Sequence, residues 1–242
     1  MKAAVPLALL FCVIFAPNAM ALFDRDGEHI IVSGGPALRE WENYRVEAQR
    51  HDRWWGNFVR AARVKMQQIR AEEGPGARIT WLVYRRAYET RGQEDKTDYV
   101  SNVISVRDRD DVRCKLVWFN TKEALISYLN SGMDRSQFKI KSFDFFGHSN
   151  KYCFAFDYSG EILGASKCYL HQNDLKLINR NVFSRSAECK SWGCHTGEAM
   201  SKVWRSTFGV KLRGAVGKTD YANCWQNGGT LPVLSPGGRW TS

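Results

Sequence analysis

The sequence predicts an α/β fold, a mostly parallel sheet flanked by helices, with an N-terminal helical extension. Short and nearly continuous apolar runs recur after residue 76 and alternate with stretches of helical spacing. Strands of this kind are expected when helices cover both faces of a parallel sheet. The chain of 242 residues is also long enough to bury a substantial core. We therefore predict a signal peptide at residues 1–21, a helical segment at 22–76 and an α/β domain at 77–242.

The first residues have the pattern of a secretory signal. Lys2 precedes an apolar run at residues 3–16, and a small-residue exit site ends at Ala21. A membrane anchor is the alternative, but the run is shorter than the roughly 20 residues that a span needs, and Pro17 ends it. The expected mature chain begins near Leu22, has no transmembrane segment and is secreted or periplasmic.

The composition is basic, with a formal net charge of +10 at pH 7. Such a surface suits an anionic partner such as nucleic acid, anionic lipid or cell-wall polymer. The basic residues are scattered and interleaved with acidic ones, so a role in solubility alone explains the charge equally well.

The cysteines allow two interpretations, a disulfide framework or a free nucleophilic thiol. The cysteines beyond the signal are Cys114, Cys153, Cys168, Cys189, Cys194 and Cys224. An even number in an exported chain predicts a disulfide framework, with Cys153 and Cys168 as a natural bridge across a strand pair. A nucleophilic Cys194 would have to stay unbridged, and the sequence leaves both possibilities open.

Residues 36–73 predict one or two amphipathic helices, because they contain few breakers and place apolar side chains at helical spacing. Gly56 splits or kinks this stretch, and the Gly74–Pro75 pair ends it. We expect these helices to pack on the domain. A membrane-surface helix or an inhibitory pro-segment is the functional alternative.

The α/β domain follows as a series of short elements. We predict strands at 79–84, 114–119 and 138–146, a minor strand at 100–106, and a helix that begins at the Thr121 cap and ends near residue 130. In the second half we predict a strand pair at 152–158 and 162–169, a helix at 173–183, a strand at 187–192, a helix at 198–208 and a strand at 210–216.

Two polar clusters directly follow predicted strands. Residues 147–150 contain His148, and residues 193–197 contain Cys194. Ligands and catalytic groups gather at the carboxyl ends of parallel strands. If the two strands are neighbours, we expect His148 and Cys194 to face one crevice.

This pair can perform nucleophilic chemistry. A nearby imidazole and the dipole of a helix beginning at Glu198 would both favour the thiolate of Cys194. His148 would then act as general base and later protonate the leaving amine. The backbone N–H groups of Ser149 and Cys194 are the candidates to stabilise the oxyanion.

The segments 143–148 (FDFFGH) and 192–197 (WGCHTG) resemble the metacaspase and caspase-like cysteine peptidases. In that family a hydrophobic strand ends in Gly-His-Gly, and a later strand ends in a Cys-His turn, in the same order. The resemblance implies a caspase-like fold and hydrolysis of a peptide or protein substrate. It also implies that Cys194 is the nucleophile, that His148 is the base, and that no cofactor or metal is needed.

This chain departs from the family pattern at two positions. Ser149 stands where the family has Gly after the histidine, and its N–H is the one used there for the oxyanion. Trp192 stands where metacaspases carry an Asp that holds a basic P1 residue. The resemblance therefore implies no preference for Arg or Lys.

Several alternatives stay open. His195 is a rival base, Asp144 is a residue that could set the local field, and a zinc site could use both histidines with cysteines. Ser149 lies in a near match to the nucleophile elbow G-x-S-x-G, but Lys151 replaces the last glycine. The rival from a different class is a non-catalytic, disulfide-stapled binding domain with a degenerate caspase-like fold.

Overall fold

The computed structural model describes residues 27–44, 46–47, 54–158, 167–225 and 229–241. The predicted signal peptide lies outside these residues. Within them, a parallel sheet with helices on both faces confirms the α/β class.

The central sheet has six strands in the order β3-β2-β1-β4-β8-β9, and every neighbouring pair is parallel. These strands are β1 (Glu28–Ser33), β2 (Arg78–Tyr84), β3 (Lys115–Phe119), β4 (Ile140–Phe146), β8 (Phe183–Ser191) and β9 (Leu212–Arg213). The short strands are β5 (His148–Ser149), β6 (Cys153–Ala155), β7 (Tyr169–His171), β10 (Ala215–Val216), β11 (Thr219–Asp220), β12 (Val233–Leu234) and β13 (Arg239–Trp240).

The helices are α1 (Arg39–Asn43), α2 (Asn57–Glu73), α3 (Arg85–Asp95), α4 (Tyr99–Arg107), α5 (Lys122–Ser131) and α6 (Met200–Phe208), with 3-10 turns at Gln172–Leu177 and Ala222–Trp225. Of these, α2 buries Phe58, Met66 and Ile69 against one face of the sheet, while α5 and α6 cover the other. No helix in the described ranges is long and apolar enough to cross a membrane.

The strand β1 is the largest departure from the prediction, because it lies in the segment 22–76 that we expected to be a helical extension. It pairs with β2 on one side and β4 on the other, in the middle of the sheet. Only Ile30, Ile31 and Val32 form its apolar run, which is shorter than a typical strand signal. Its polar residues Glu28 and His29 are nevertheless buried. The sheet therefore does not begin at residue 77.

The predicted minor strand at 100–106 is wrong, because these residues belong to α4. Their β-branched content suggested a strand, but Asp98 caps a helix by accepting a hydrogen bond from the Ser101 N–H at 2.9 Å. Tyr99 and Val103, one helical turn apart, are both buried. The local cap and the packing of this face outweigh the propensity.

The remaining first-half elements are confirmed as β2, β3, α5 and β4, with small shifts in their ends. Thr121 caps α5 as predicted, since its side chain accepts from the Ala124 N–H at 3.2 Å.

In the second half, β6 lies within the predicted strand 152–158 and pairs antiparallel with β7, which begins at Tyr169. The predicted partner strand 162–169 lies mostly outside the described residues, and only its last residue belongs to β7. The predicted helix at 173–183 is wrong: a 3-10 turn ends at Leu177 and β8 begins at Phe183. The 3-10 turn is followed by Ile178, whose backbone is extended.

Candidate active site

The two polar clusters lie side by side. The strands β4 and β8 are parallel neighbours, with Phe145 opposite Ser191 near their carboxyl ends. Residues 147–150 and 193–197 therefore leave the sheet at the same edge, which is the condition for His148 and Cys194 to share a crevice.

A hydrogen bond joins the two clusters directly. The Ser149 hydroxyl donates to the Cys194 carbonyl oxygen at 2.7 Å. Gly193 makes this approach possible, because a Cβ at that position would lie 2.1 Å from the Ser149 Oγ and 3.0 Å from the Gly147 carbonyl oxygen. Ser149, which departs from the family pattern, thus fixes the turn that carries Cys194.

The sulfur of Cys194 contacts Thr219 in β11. It accepts a hydrogen bond from the Thr219 N–H at 3.4 Å, and the Thr219 Oγ1 lies 3.5 Å away. The Cys194 thiol also donates to the Thr219 carbonyl oxygen at 3.9 Å. The Cys194 side chain is half-buried, so it remains accessible to reagents. Sequence reasoning missed Thr219, which lies in a polar segment with no motif.

Aromatic rings surround His148. Its ring lies edge-on to Phe58 with centroids 5.1 Å apart, and 4.3 Å from the ring of Tyr158. The Phe58 ring also packs against Tyr221, whose hydroxyl donates to the Trp192 carbonyl oxygen at 3.1 Å. The N-terminal end of α2 therefore packs directly against His148, a contact that the sequence pattern did not indicate.

The turn after Cys194 differs from the prediction. The helix α6 begins at Met200, not at Glu198, so Cys194 is not on its first turn. The N–H of Met200 donates to the Lys151 carbonyl oxygen at 2.8 Å. The helix dipole is strongest at its first turn, and that end is directed at the loop after His148. The expected dipole effect on Cys194 is therefore not supported.

His195 has a carboxylate partner. It adopts a left-handed backbone with φ of +63°, and its Nδ1 lies 2.6 Å from the Glu198 Oε1. This hydrogen bond lowers the pKa of Glu198 below its ordinary value, with the Gly217 N–H adding to the effect. Glu198, expected as a first-turn helix residue, instead contacts the histidine that follows Cys194 in the chain.

Asp144 is buried in β4 on the face covered by α2. Its Oδ1 accepts from the Trp192 Nε1 at 2.8 Å, and its Oδ2 lies 3.9 Å from the Lys65 Nζ. Burial raises the pKa of this carboxyl, although Lys65 and Trp192 oppose the shift. Asp144 thus contacts the residue that stands two positions before Cys194.

All six cysteines beyond residue 21 lie in the described part of the chain, and none is bridged to another. The structure does not show the expected Cys153–Cys168 bridge: Cys153 lies opposite His171 in the strand register, and the Cys168 carbonyl oxygen accepts from the Phe156 N–H. Burial raises the pKa of Cys114 to about 12 and that of Cys168 to about 11.

The described residues contain no group of three or more His, Cys, Asp or Glu side chains that could hold a metal ion. The zinc alternative drawn from His148, His195 and the cysteines therefore finds no support in this part of the chain.

Comparison with known proteins gives no match to a family model, a curated protein or a solved structure. The functional assignment consequently depends on the local geometry at the carboxyl edge of the sheet, where a hydrogen bond joins the turn after His148 to the turn that carries Cys194.

Proposed function

We propose that this protein is an exported cysteine peptidase or amidase, with Cys194 as nucleophile and His148 as general base and acid. One observation carries the proposal: the 2.7 Å hydrogen bond from Ser149 to the Cys194 carbonyl, which joins the two turns at the ends of adjacent strands. This bond holds the backbone of the thiol-bearing turn against the backbone of the histidine-bearing turn. Such fixed geometry is what a nucleophile and its base require.

The reaction would proceed in two steps. His148 takes the thiol proton, the Cys194 sulfur attacks the amide carbon, and a tetrahedral oxyanion forms. His148 then protonates the leaving nitrogen, the C–N bond breaks and a thioester remains. Water, deprotonated by His148, attacks the thioester and releases the acid and the thiol. The backbone N–H groups of Ser149 and Cys194 are the proposed oxyanion donors.

The surroundings of Cys194 support its role over that of the other cysteines. Cys194 is half-buried, and the Thr219 N–H donates to its sulfur. Burial raises the pKa of each of the other five cysteines, to about 12 at Cys114 and Cys224. A thiol with so high a pKa is almost wholly protonated near pH 7, and it is the thiolate that reacts. Cys194 is therefore the cysteine expected to react first.

The test is alkylation of the non-reduced native protein with iodoacetamide, followed by peptide mapping. Cys194 should label first near neutral pH, and His148→Ala should slow its labelling at least tenfold. His195→Ala, which removes the histidine held by Glu198, should change the rate less. Cys153→Ser is the matched control and should leave the Cys194 rate unchanged.

A peptide-substrate screen follows on the same variants. Cys194→Ala should abolish any hydrolysis that the wild type shows. If His195→Ala slows labelling more than His148→Ala, the base assignment is wrong. If Cys194 is found in a disulfide, the peptidase proposal is overturned in favour of the non-catalytic, disulfide-stapled binding domain.

Export is part of the proposal and has its own test. The Lys2-led apolar run and the Ala21 exit site support a cleaved signal. Mass spectrometry of the protein secreted from a suitable host should give a chain that begins at Leu22. A chain retained at full length in the membrane would contradict it.

A further inference from the structure

A second cleft lies on the α2 face of the sheet, separate from the residues assigned to catalysis. Its volume is about 800 Å³, and it is lined by side chains of β4, β8, β9, α2 and the C-terminal segment. This size falls within the range of about 300–1,000 Å³ typical of small-molecule sites. His148, Ser149 and Cys194 are not among its lining residues.

Strand register places a charged row on its floor. Asp144 on β4 lies opposite Lys190 on β8, and Lys190 lies opposite Arg213 on β9. Residues paired across neighbouring parallel strands present their side chains on the same face. The row therefore runs from a buried carboxylate through a half-buried lysine to an arginine exposed at the edge of the sheet.

Two tryptophan rings flank the central lysine. The Lys190 Nζ lies 3.3 Å from the ring centroid of Trp192 and 4.1 Å from that of Trp240. The rings meet edge-on, with centroids 5.5 Å apart. Because the rings touch and Lys190 lies over both, they leave no slot between them. Trp192 also stacks on Phe146, so the half-buried Trp240 is the aromatic surface that the cleft offers to a planar ring.

The charge balance favours an anion. The lining has four cations, namely Lys65, Lys190, Lys211 and Arg213, against two carboxylates, Asp144 and Glu188. Lys65 is the cation nearest to Asp144, at 3.9 Å. Lys190 lies opposite Asp144 as well, so the four cations exceed the two carboxylates of the lining by two charges. A group with two negative charges would match this excess.

We propose that this cleft binds a small organic anion that combines a planar ring with a phosphate monoester, the ring against Trp240 and the phosphate on Lys190 and Arg213. The volume is far larger than a bare inorganic anion needs, so the ring accounts for the space and the cations account for the charge. The proposal concerns binding alone and does not rest on peptidase activity.

The partial burial of Lys190 is consistent with such a ligand. Burial lowers the pKa of its ammonium to about 8, with Arg213 adding to the effect. A bound phosphate would offset that penalty, because an opposite charge favours the protonated form. Binding should therefore be accompanied by proton uptake near pH 8.

The test is isothermal titration calorimetry on the purified protein with a panel of ring phosphates: adenosine and uridine 5′-monophosphates, phenyl phosphate and pyridoxal 5′-phosphate. At least one should bind with a Kd below 1 mM, while adenosine alone and inorganic phosphate alone bind at least tenfold more weakly. If no panel member binds below 1 mM, or if inorganic phosphate binds as well as the best member, the proposal is overturned.

Variants assign the binding to this cleft. Lys190→Met and Arg213→Gln should each weaken the best ligand at least tenfold, and Trp240→Leu should weaken it while leaving inorganic phosphate unaffected. Lys202→Gln, which removes an exposed lysine on α6, is the control and should bind as the wild type. Arg213 is exposed, so its substitution tests the site even if Lys190→Met fails to fold. Unchanged affinity in Arg213→Gln and Trp240→Leu would overturn the assignment.

Discussion

At the scale of single residues, the structure explains why the turn before Cys194 contains a glycine. The Ser149 hydroxyl occupies the space where any Cβ on residue 193 would lie. The family-like pattern of residues 192–197 identified the turn, but it gave no sign that Ser149 would be its partner. Residues 149 and 193 are far apart in the chain and contact each other only in the folded protein.

We expect Gly193→Ala to slow alkylation of Cys194 and to destabilise the fold by about 1–3 kcal/mol, the usual cost of overpacking a close contact. Its Cβ would lie 2.1 Å from the Ser149 Oγ. Ser149→Gly removes that clash, although the 3.0 Å approach to the Gly147 carbonyl remains. The double variant should therefore recover part of the stability, as measured by urea unfolding. If the two effects simply add, the contact does not constrain the turn.

A second residue-scale prediction concerns Glu73 at the end of α2. Burial alone would raise the pKa of its carboxyl, but hydrogen bonds from Lys141 at 2.7 Å and from His29 at 3.0 Å outweigh burial and lower that pKa. A carboxyl with a lowered folded-state pKa stabilises the fold at pH values above its ordinary pKa of 4.5. That contribution is lost as the pH falls further.

Lys141→Met should therefore reduce the loss of unfolding free energy between pH 5 and pH 3, since it removes one cause of the lowered pKa. The measurement is urea unfolding at pH 7, 5, 4 and 3, with Lys202→Met as the exposed-lysine control. An acid dependence identical to that of the wild type would show that the Lys141–Glu73 pair does not contribute.

At the scale of elements, the central strand β1 is anchored by a buried ion pair. Glu28 is fully buried at its start and accepts hydrogen bonds from Thr80 at 2.5 Å, from Tyr128 at 2.9 Å and from the Arg135 Nη1 at 2.6 Å. These partners lie on β2, on α5 and just beyond it. A polar residue that opens a short strand does not indicate a central position, which is why sequence pattern alone missed β1.

Removing one partner of a buried ion pair leaves the other charge unpaired, which typically costs about 3–5 kcal/mol. We expect Arg135→Met to destabilise the protein by an amount in that range. Glu28→Gln combined with Arg135→Met should recover part of the loss, because no buried carboxylate then lacks its cation. Chemical denaturation of the two single variants and the double variant measures this coupling. A double variant less stable than Arg135→Met would contradict it.

At the scale of the whole molecule, the sequence pattern predicted a mostly parallel sheet and placed the two polar segments directly after strands, and the structure shows that those strands are neighbours. Periodic apolar runs carry that information locally, as in β2, β4 and α5. The sequence pattern did not identify Thr219, Phe58 or Tyr221 as neighbours of Cys194 and His148, because these residues meet only through tertiary packing. Nor could it decide the state of the cysteines, since pairing depends on the strand register that separates Cys153 from Cys168.

The unbridged cysteines lead to a prediction for the entire fold. Loss of a native disulfide typically costs about 2–5 kcal/mol. Because the six cysteines are unbridged in the structure, we expect the Tm to be the same with and without a thiol reductant. Differential scanning calorimetry of the mature protein checks this. A clear fall in Tm on reduction would contradict the unbridged state and favour the disulfide-stapled alternative.

The position of β1 also constrains how such a protein can mature. The helix α2 follows β1 in the chain and precedes β2, yet both strands are hydrogen-bonded neighbours at the centre of the sheet. Proteolytic nicks on either side of α2 would leave β1 as a separate peptide, held only by its ladder and its packing. Its departure would expose the unpaired edges of β2 and β4, which are templates for aggregation. Activation by shedding this region would therefore dismantle the sheet, so any control of the crevice must act with the N-terminal strand still in place.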